Sequence, residues 1–276
     1  MVNAIVNQLL FKPPKNHKYK FRHPVVRLET STADEICVTH IERKGAHVTI
    51  LFSHGNAEDL NTSFLWMKRL SQDLKVNVVS YDYPGYGEVQ GVPTEEKCYA
   101  AIDAVFDYLV EEKGLSPHEI CLYGRSLGSG PSCYLAERTC SKDNLPVAGL
   151  ILHSPFSSVY RVVLDFGFTM VGDQFPNIDR IGNVRCPVFI FHGMEDAVIP
   201  FQHAQYLYEA VPEKFKTEPF WVEGMGHNHY TRQVGCELMR RLNKFLDFHV
   251  LARRLWMLPS SEEEDYTPRP RRLLRV

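Results

Sequence analysis

A mostly parallel, doubly wound α/β sheet covered by helices on both faces is the fold class that this sequence predicts. Three observations carry it. Short β-branched apolar runs alternate with amphipathic stretches along most of the chain. A glycine-flanked serine, in Gly124-Arg-Ser-Leu-Gly128, falls directly between one such run and a helical stretch. An acidic residue and a histidine follow later runs, in that order. Strands that alternate with helices build parallel sheets buried on both faces.

The elements read in order as follows. Val25–Leu28 and Ile36–Thr39 are early antiparallel strands, and Val48–Phe52 is the first buried one. A helix over Thr62–Leu74, a strand over Val76–Ser80 and a Gly/Pro-rich turn through Pro84, Gly85 and Gly87 come next. In the helix from about Thr94 to Lys113, Ile102, Val105, Phe106 and Leu109 fall at i, i+3, i+4 and i+7, one apolar face. Strand Ile120–Tyr123 runs into a helix that begins near Leu127. Strand Val147–Leu152, an irregular stretch from Ser154 to Arg185, and strand Val188–Phe191 follow. A helix near Gln202–Ala210, strand Pro219–Val222 and a helix from Thr231 to about Leu251 close the unit.

This organisation divides the chain into an apolar and basic segment (residues 1–20), one domain (21–252) and a charged tail (253–276). The tail joins Glu262-Glu-Glu-Asp265 to Arg269-Pro-Arg-Arg272 and has too little apolar surface to fold, so disorder is expected there. With 276 residues and 44% hydrophobic content the chain can bury one sizeable core, while a formal charge of −2 offers no bulk attraction to nucleic acid. The seven cysteines are odd in number and scattered, without a C-x-x-C pair, which argues against a disulfide framework or a zinc site and for a reducing compartment. No metal or cofactor is expected, since no dinucleotide fingerprint is present either. Met1–Phe11 lacks the marks of a signal peptide, and no run approaches the roughly 20 apolar residues of a membrane span. A cytoplasmic protein is expected, with any membrane contact peripheral.

Gly124–Gly128 matches G-x-S-x-G, a weak signal alone, but its place between strand and helix is the context that a nucleophile elbow requires. A glycine-rich phosphate-holding turn is the competing reading. A serine hydroxyl needs a base to take its proton. His227 supplies one after the last strand, in Trp221-Val-Glu-Gly-Met-Gly-His227, with His229 as local competitor. An acid must orient the imidazole. Asp196, in His192-Gly-Met-Glu-Asp196, fits the tight turn better than its neighbour Glu195. The chain order Ser126, Asp196, His227 is that of the α/β-hydrolase fold. An oxyanion hole needs two backbone N–H groups. Leu127, at the start of the helix after the serine, is one; Asn56 in Ser53-His-Gly-Asn-Ala57 is the other, with Ala57 as alternative. Between Ser154 and Arg185 the apolar residues include Phe156, Val159, Phe166 and Phe168, which either line an acyl groove or pack as ordinary core. The remaining histidines, His54, His153 and His192 among them, sit at strand ends where structural roles suffice.

Phe52-Ser-His-Gly-Asn-Ala57, Tyr81-Asp-Tyr-Pro-Gly-Tyr-Gly87, Leu122-Tyr-Gly-Arg-Ser-Leu-Gly128, Leu152-His-Ser-Pro155, Phe175-Pro-Asn-Ile178, His192-Gly-Met-Glu-Asp196 and Trp221-Val-Glu-Gly-Met-Gly-His-Asn228 together resemble the alpha/beta hydrolase domain-containing protein 17 family, over about Leu9 to Leu251. The resemblance implies a serine hydrolase that removes palmitate from cysteine thioesters of membrane-attached proteins, with Ser126 as nucleophile, Asp196 as acid and His227 as base. Animal members carry an N-terminal cysteine cluster, whereas the first cysteine here is Cys37; the serines that commonly follow the Tyr-Gly turn are replaced around Glu88-Val-Gln90. Any membrane contact is therefore expected to come from Met1–Phe11 with Lys12, Lys15, Lys18 and Lys20, or from the basic tail, and the competing reading, slightly favoured, is that the N-terminal segment packs across its own domain. The expected partner is an S-acylated protein or a lipid ester. A monoacylglycerol or lysolipid hydrolase is the second reading, and a non-catalytic binding module the third.

Overall fold

Alternation along single strands shows how the sheet is buried. In strand β3 (Thr49–Ser53) Ile50 and Phe52 join one apolar cluster while Leu51 joins another. Strand β5 (Ile120–Arg125) divides Cys121 and Tyr123 from Ile120 and Leu122 in the same way, as the period-two geometry of a strand requires. Two cores therefore lie on opposite faces of one sheet. The computed structural model describes residues 10–14, 24–141, 144–164, 172–228 and 231–251. Residues 1–9, the 253–276 tail, Phe166, Phe168 and His229 lie outside them, with the expectations attached to each.

The sheet has eight strands in the order β1-β2-β4-β3-β5-β6-β7-β8, adding β1 (Val25–Glu29), β2 (Glu35–Ile41), β4 (Asn77–Tyr81), β6 (Gly149–His153), β7 (Val188–Gly193) and β8 (Phe220–Val222) to those above. β1 and β2 pair antiparallel, β2 pairs antiparallel with β4, and all further pairings are parallel. Helix α1 (Leu60–Leu74) contributes Met67, Leu70 and Leu74 to one face. On the opposite face α2 (Glu95–Asp107) contributes Cys98, Ile102 and Val105, and α3 (Ser129–Ser141) contributes Cys133, Leu135 and Ala136.

Local chemistry sets the helix boundaries. Asp59 caps α1 by accepting from Thr62 N at 2.8 Å, and the Thr62 hydroxyl accepts from Asp59 N at 2.8 Å, a reciprocal box. The helix consequently starts two residues before the expected Thr62. Thr94 caps α2 by accepting from Lys97 N. The expected helix to Lys113 closes in a π-helical turn over Tyr108–Glu112. The larger difference is the stretch from Ser154 to Arg185, expected to be irregular. It holds two short helices, α4 (Val159–Leu164) and α5 (Asn177–Ile181). Helix α6 (Gln202–Ala210) and helix α7 (Arg232–Phe245) complete the described α-helices, α7 capped by Thr231 and followed by a second π-helical turn, Leu246–Leu251.

The register aligns the C-terminal ends of the parallel strands, where doubly wound sheets place their sites. Ser53 pairs with Gly124, Arg125 with His153 and Gly193 with Val222. Between the central strand β3 and α3 the packing leaves no room for a side chain at Gly128. A Cβ there would overlap the Ser53 carbonyl oxygen and stand 2.9 Å from the His54 oxygen. Since backbone atoms cannot rotate away, Gly128→Ala should destabilise the fold by about 1–3 kcal/mol or more. A denaturant titration checks this, with the wild-type midpoint retained if the approach is not required.

Candidate active site

Ser126 lies where β5 turns into α3, with φ of +50°. A left-handed backbone costs a non-glycine residue roughly 1–2 kcal/mol, so it persists only where the surroundings enforce it. Gly124 and Gly128 do so. A Cβ on Gly124 would overlap the Gly128 carbonyl and approach Ser132 Oγ to 2.7 Å, so strand and helix close on the serine from both sides. The Ser129 hydroxyl donates to the Ser126 carbonyl at 2.7 Å and fastens the turn from within.

The histidine and the acid arrive from the loops after β8 and β7. His227 Nε2 lies 3.1 Å from Ser126 Oγ, and His227 Nδ1 lies 2.6 Å from Asp196 Oδ2. With a carboxylate at Nδ1, that nitrogen carries the proton, and the Nε2 lone pair faces the serine hydroxyl. The two loops are tied by backbone bonds: Met194 N donates to Val222 O at 2.9 Å, and Glu195 N to Met225 O at 3.0 Å. Gly193 is required at this seam, because a Cβ would overlap the Met225 carbonyl.

Asp196 is supplied with donors on both oxygens. Oδ1 accepts from Val198 N and Ile199 N, each at 2.8 Å. Oδ2 faces His227 and also His192, whose Nε2 stands 3.2 Å away. His192 Nε2 is 3.0 Å from the Ile199 carbonyl too; with acceptors on both sides, it is the protonated nitrogen. Burial pushes the Asp196 carboxyl up, but the hydrogen bonds from His192, His227 and Ile199 N outweigh it and hold the group well below the usual carboxylate range. Glu195, the alternative, is exposed.

A cavity of about 150 Å³ opens beside Ser126, lined by Leu10, Asn56, Leu127, Phe156, Val159, Val162, Val198 and Ile199. Phe156 and Val159 of the groove candidates thus line the cavity at the serine, and both also belong to the buried core. Asn56 and Leu127 flank the serine together, whereas Ala57 is exposed. Below Asn56, Glu58 accepts from Gly55 N at 2.8 Å and pairs with Arg125, and Arg125 donates to Asn228 at 3.0 Å. One guanidinium therefore joins the loops that follow β3 and β8 to the end of β5. His153 lies deeper, with its Nδ1 3.1 Å from the Tyr123 hydroxyl; burial, then the charge of Arg125, holds it neutral.

Sequence reasoning gave His192 only a structural place, yet it is a direct partner of Asp196; its i−4 spacing was the available signal. Val162, Val198, Ile199 and Leu10 were not nominated as cavity walls. Leu10 and Phe11 settle part of the question about the N-terminal segment: Phe11 is only 5% exposed and packs on the domain.

A family model described as alpha/beta hydrolase fold matches residues 48–171. The alpha/beta hydrolase domain-containing protein aho-3 of Caenorhabditis elegans is 42% identical over 280 residues, covering 92% of this chain and 81% of its own length. Alpha/beta hydrolase domain-containing protein 17B of Xenopus laevis is 42% identical over 202 residues, 73% of this chain and 67% of its own. The chain belongs to the alpha/beta hydrolase domain-containing protein 17 family. It covers 59% of the human 17C protein, which is 42% identical over 203 residues and 73% of this chain. An esterase from Pyrococcus furiosus shares the fold at a TM-score of 0.65 and 17% identity, over 86% of this chain and 98% of its own. Among the described residues of this family member no helix is long and apolar enough to cross a membrane.

Because its folded pKa is depressed, ionised Asp196 contributes stability above its unfolded value near about 3.9, and that contribution is lost as pH falls through the folded pKa. Asp196→Asn should therefore lower stability at neutral pH and narrow its gap from wild type below about pH 4. Glu195→Gln should leave the stability profile unchanged. Thermal melts across pH check both, and a gap that stays constant into acid would show that the carboxylate charge is not what is being stabilised.

Proposed function

We propose that the chain is a serine hydrolase that cleaves acyl thioesters through an acyl-enzyme, acting on S-palmitoylated proteins. The observation that carries this reading is the hydrogen-bonded line Ser126–His227–Asp196 opening directly onto an apolar cavity. In the first step Ser126 Oγ attacks the thioester carbonyl carbon while His227 Nε2 takes the hydroxyl proton. The oxyanion that forms is received by the backbone N–H groups of Leu127 and Asn56. Collapse breaks the carbon–sulfur bond, and the thiolate leaves with the proton from His227. Water then attacks the Ser126 ester with His227 again as base, and the free fatty acid departs.

Two features bear on the acyl group and on what carries it. A cavity near 150 Å³ is the size that holds one benzene ring, so the described walls enclose only the carbons nearest the carbonyl. The described part of the connection between β6 and β7 carries the short helices Val159–Leu164 and Asn177–Ile181, and an insertion of this length is too short for a large helical cap, which suits the approach of a protein-borne cysteine. The thiol leaving group and the palmitoyl length come from the family resemblance. Hydrolysis of a monoacylglycerol or lysolipid uses the same serine and the same walls.

Ser126→Ala should abolish fluorophosphonate labelling and turnover of a palmitoylated peptide without changing the circular dichroism. His227→Ala should depress turnover about as severely, since nucleophile and base act as a unit, and Asp196→Asn by about 10⁴-fold, since an amide leaves the imidazole in the wrong tautomer. Wild-type turnover of the palmitoylated peptide should exceed that of a monopalmitoyl glyceride. The reverse preference would establish lipid-ester hydrolysis, and full labelling of the alanine variant would remove Ser126 from the chemistry.

A further inference from the structure

Asn56 is drawn into the site for its backbone N–H, but its side chain has separate work. Its Oδ1 accepts from Lys12 N at 2.8 Å and from the Tyr86 hydroxyl at 2.6 Å, while its Nδ2 donates to the Leu10 carbonyl at 2.6 Å. A planar amide offers an acceptor and a donor side by side, and here it makes with residues 10 and 12 the pair of bonds that a neighbouring strand would make. Between those bonds Phe11 turns into the core, edge-on to Tyr86 with centroids 6.5 Å apart and edge-on to Phe175 at 6.2 Å. Phe175 is itself held in place, since a Cβ at Gly130 of α3 would overlap its ring. Leu10, on the near side of the clamp, stands in the cavity wall with Ser126 and Leu127.

We propose that Leu10 is a specificity-determining wall of the acyl site, and that the Asn56 side chain is the positioning residue that holds it there. The inference rests on the acyl-hydrolase reading and adds to it what limits the acyl group. A segment 46 residues away from the loop that follows β3 thereby becomes part of that loop's pocket. Two consequences differ from those of a merely structural strap. The bulk of residue 10 should select among acyl chains, and loss of the Asn56 amide should alter that selection through Leu10.

The test measures kcat/KM of the intact chain on p-nitrophenyl acetate, butyrate, octanoate and palmitate, with fluorophosphonate labelling to count active sites. Leu10→Trp should lower the octanoate-to-acetate ratio by about tenfold or more, the discrimination expected from misfitting a few methylenes in an apolar pocket. Leu10→Ala should move the ratio the opposite way and keeps the test decisive if the tryptophan does not fit. Asn56→Ala should shift the profile in the direction of Leu10→Ala. The double variant should then match Leu10→Ala alone, because residues acting through one contact do not add. A ratio unmoved by either change at Leu10, in protein that still labels, overturns the wall assignment and leaves the hydrolase reading intact. Additive shifts in the double variant overturn the role of Asn56. A wild type that neither labels nor cleaves any ester removes the hydrolase reading itself, and this inference with it.

Discussion

A left-handed turn at Ser126 can exist only if the strand before it and the helix after it approach each other almost to backbone contact, and much of the molecule is arranged around that approach. Gly124 and Gly128 remove the side chains that would prevent it, and Gly128 also lets α3 meet the end of β3. That contact sets the loop after β3, with Asn56, beside Leu127 and the serine. Helix α3 cannot drift from its place, because Cys133, Leu135 and Ala136 are buried in the face that covers β5. The strain of one residue is thus balanced by packing spread over a helix and two strands.

Around the serine, charge is handled by saturation. Asp196 receives donors from two histidines and two backbone amides, so it remains an anion although it is buried. A carboxylate so fully bonded has little freedom to rotate, and it transmits that rigidity to the His227 ring through a 2.6 Å contact. Arg125 does comparable work on the other side, tying Glu58 and Asn228 so that two loops share one cation at the end of β5. Deeper in the sheet the buried His54 and Asp82 stand 3.4 Å apart, and burial pushes the Asp82 carboxyl up.

What the sequence made legible was governed by how local each signal is. The strands declare themselves through period-two apolar runs such as Ile120–Leu122, and the helices through spacing such as Ile102, Val105, Phe106 and Leu109. The fold class and family follow from these and from the loop motifs. Ser126, Asp196 and His227 could be nominated because each lies just beyond a strand, and the structure puts them within hydrogen-bonding distance. Helix α5 was not legible: five residues are too few to show a helical period. The first turn of α1 was hidden because its start is decided by the hydrogen bonds of Asp59, not by apolar spacing. His192 could be seen near Asp196 in the chain, but the direction of its ring depends on the Ile199 carbonyl, brought there by the turn. The grip of Asn56 on Leu10 and Lys12 joins residues far apart in the chain, and no periodicity reports such a pair.

The strand that leads to the histidine loop is the shortest described in the sheet. Among the described residues β8 has three residues, lies at the edge and pairs with β7 alone, whereas β5 has a neighbour on each side over its length. Opening of a protein begins where few bonds hold an element, at a free energy well below that of global unfolding. The serine and the histidine therefore belong to regions of unequal local stability: one embedded in the centre of the sheet, the other on a margin able to detach while the remainder stays folded. Under heat or denaturant the cluster would come apart at His227 first, in a molecule whose secondary structure is still nearly complete.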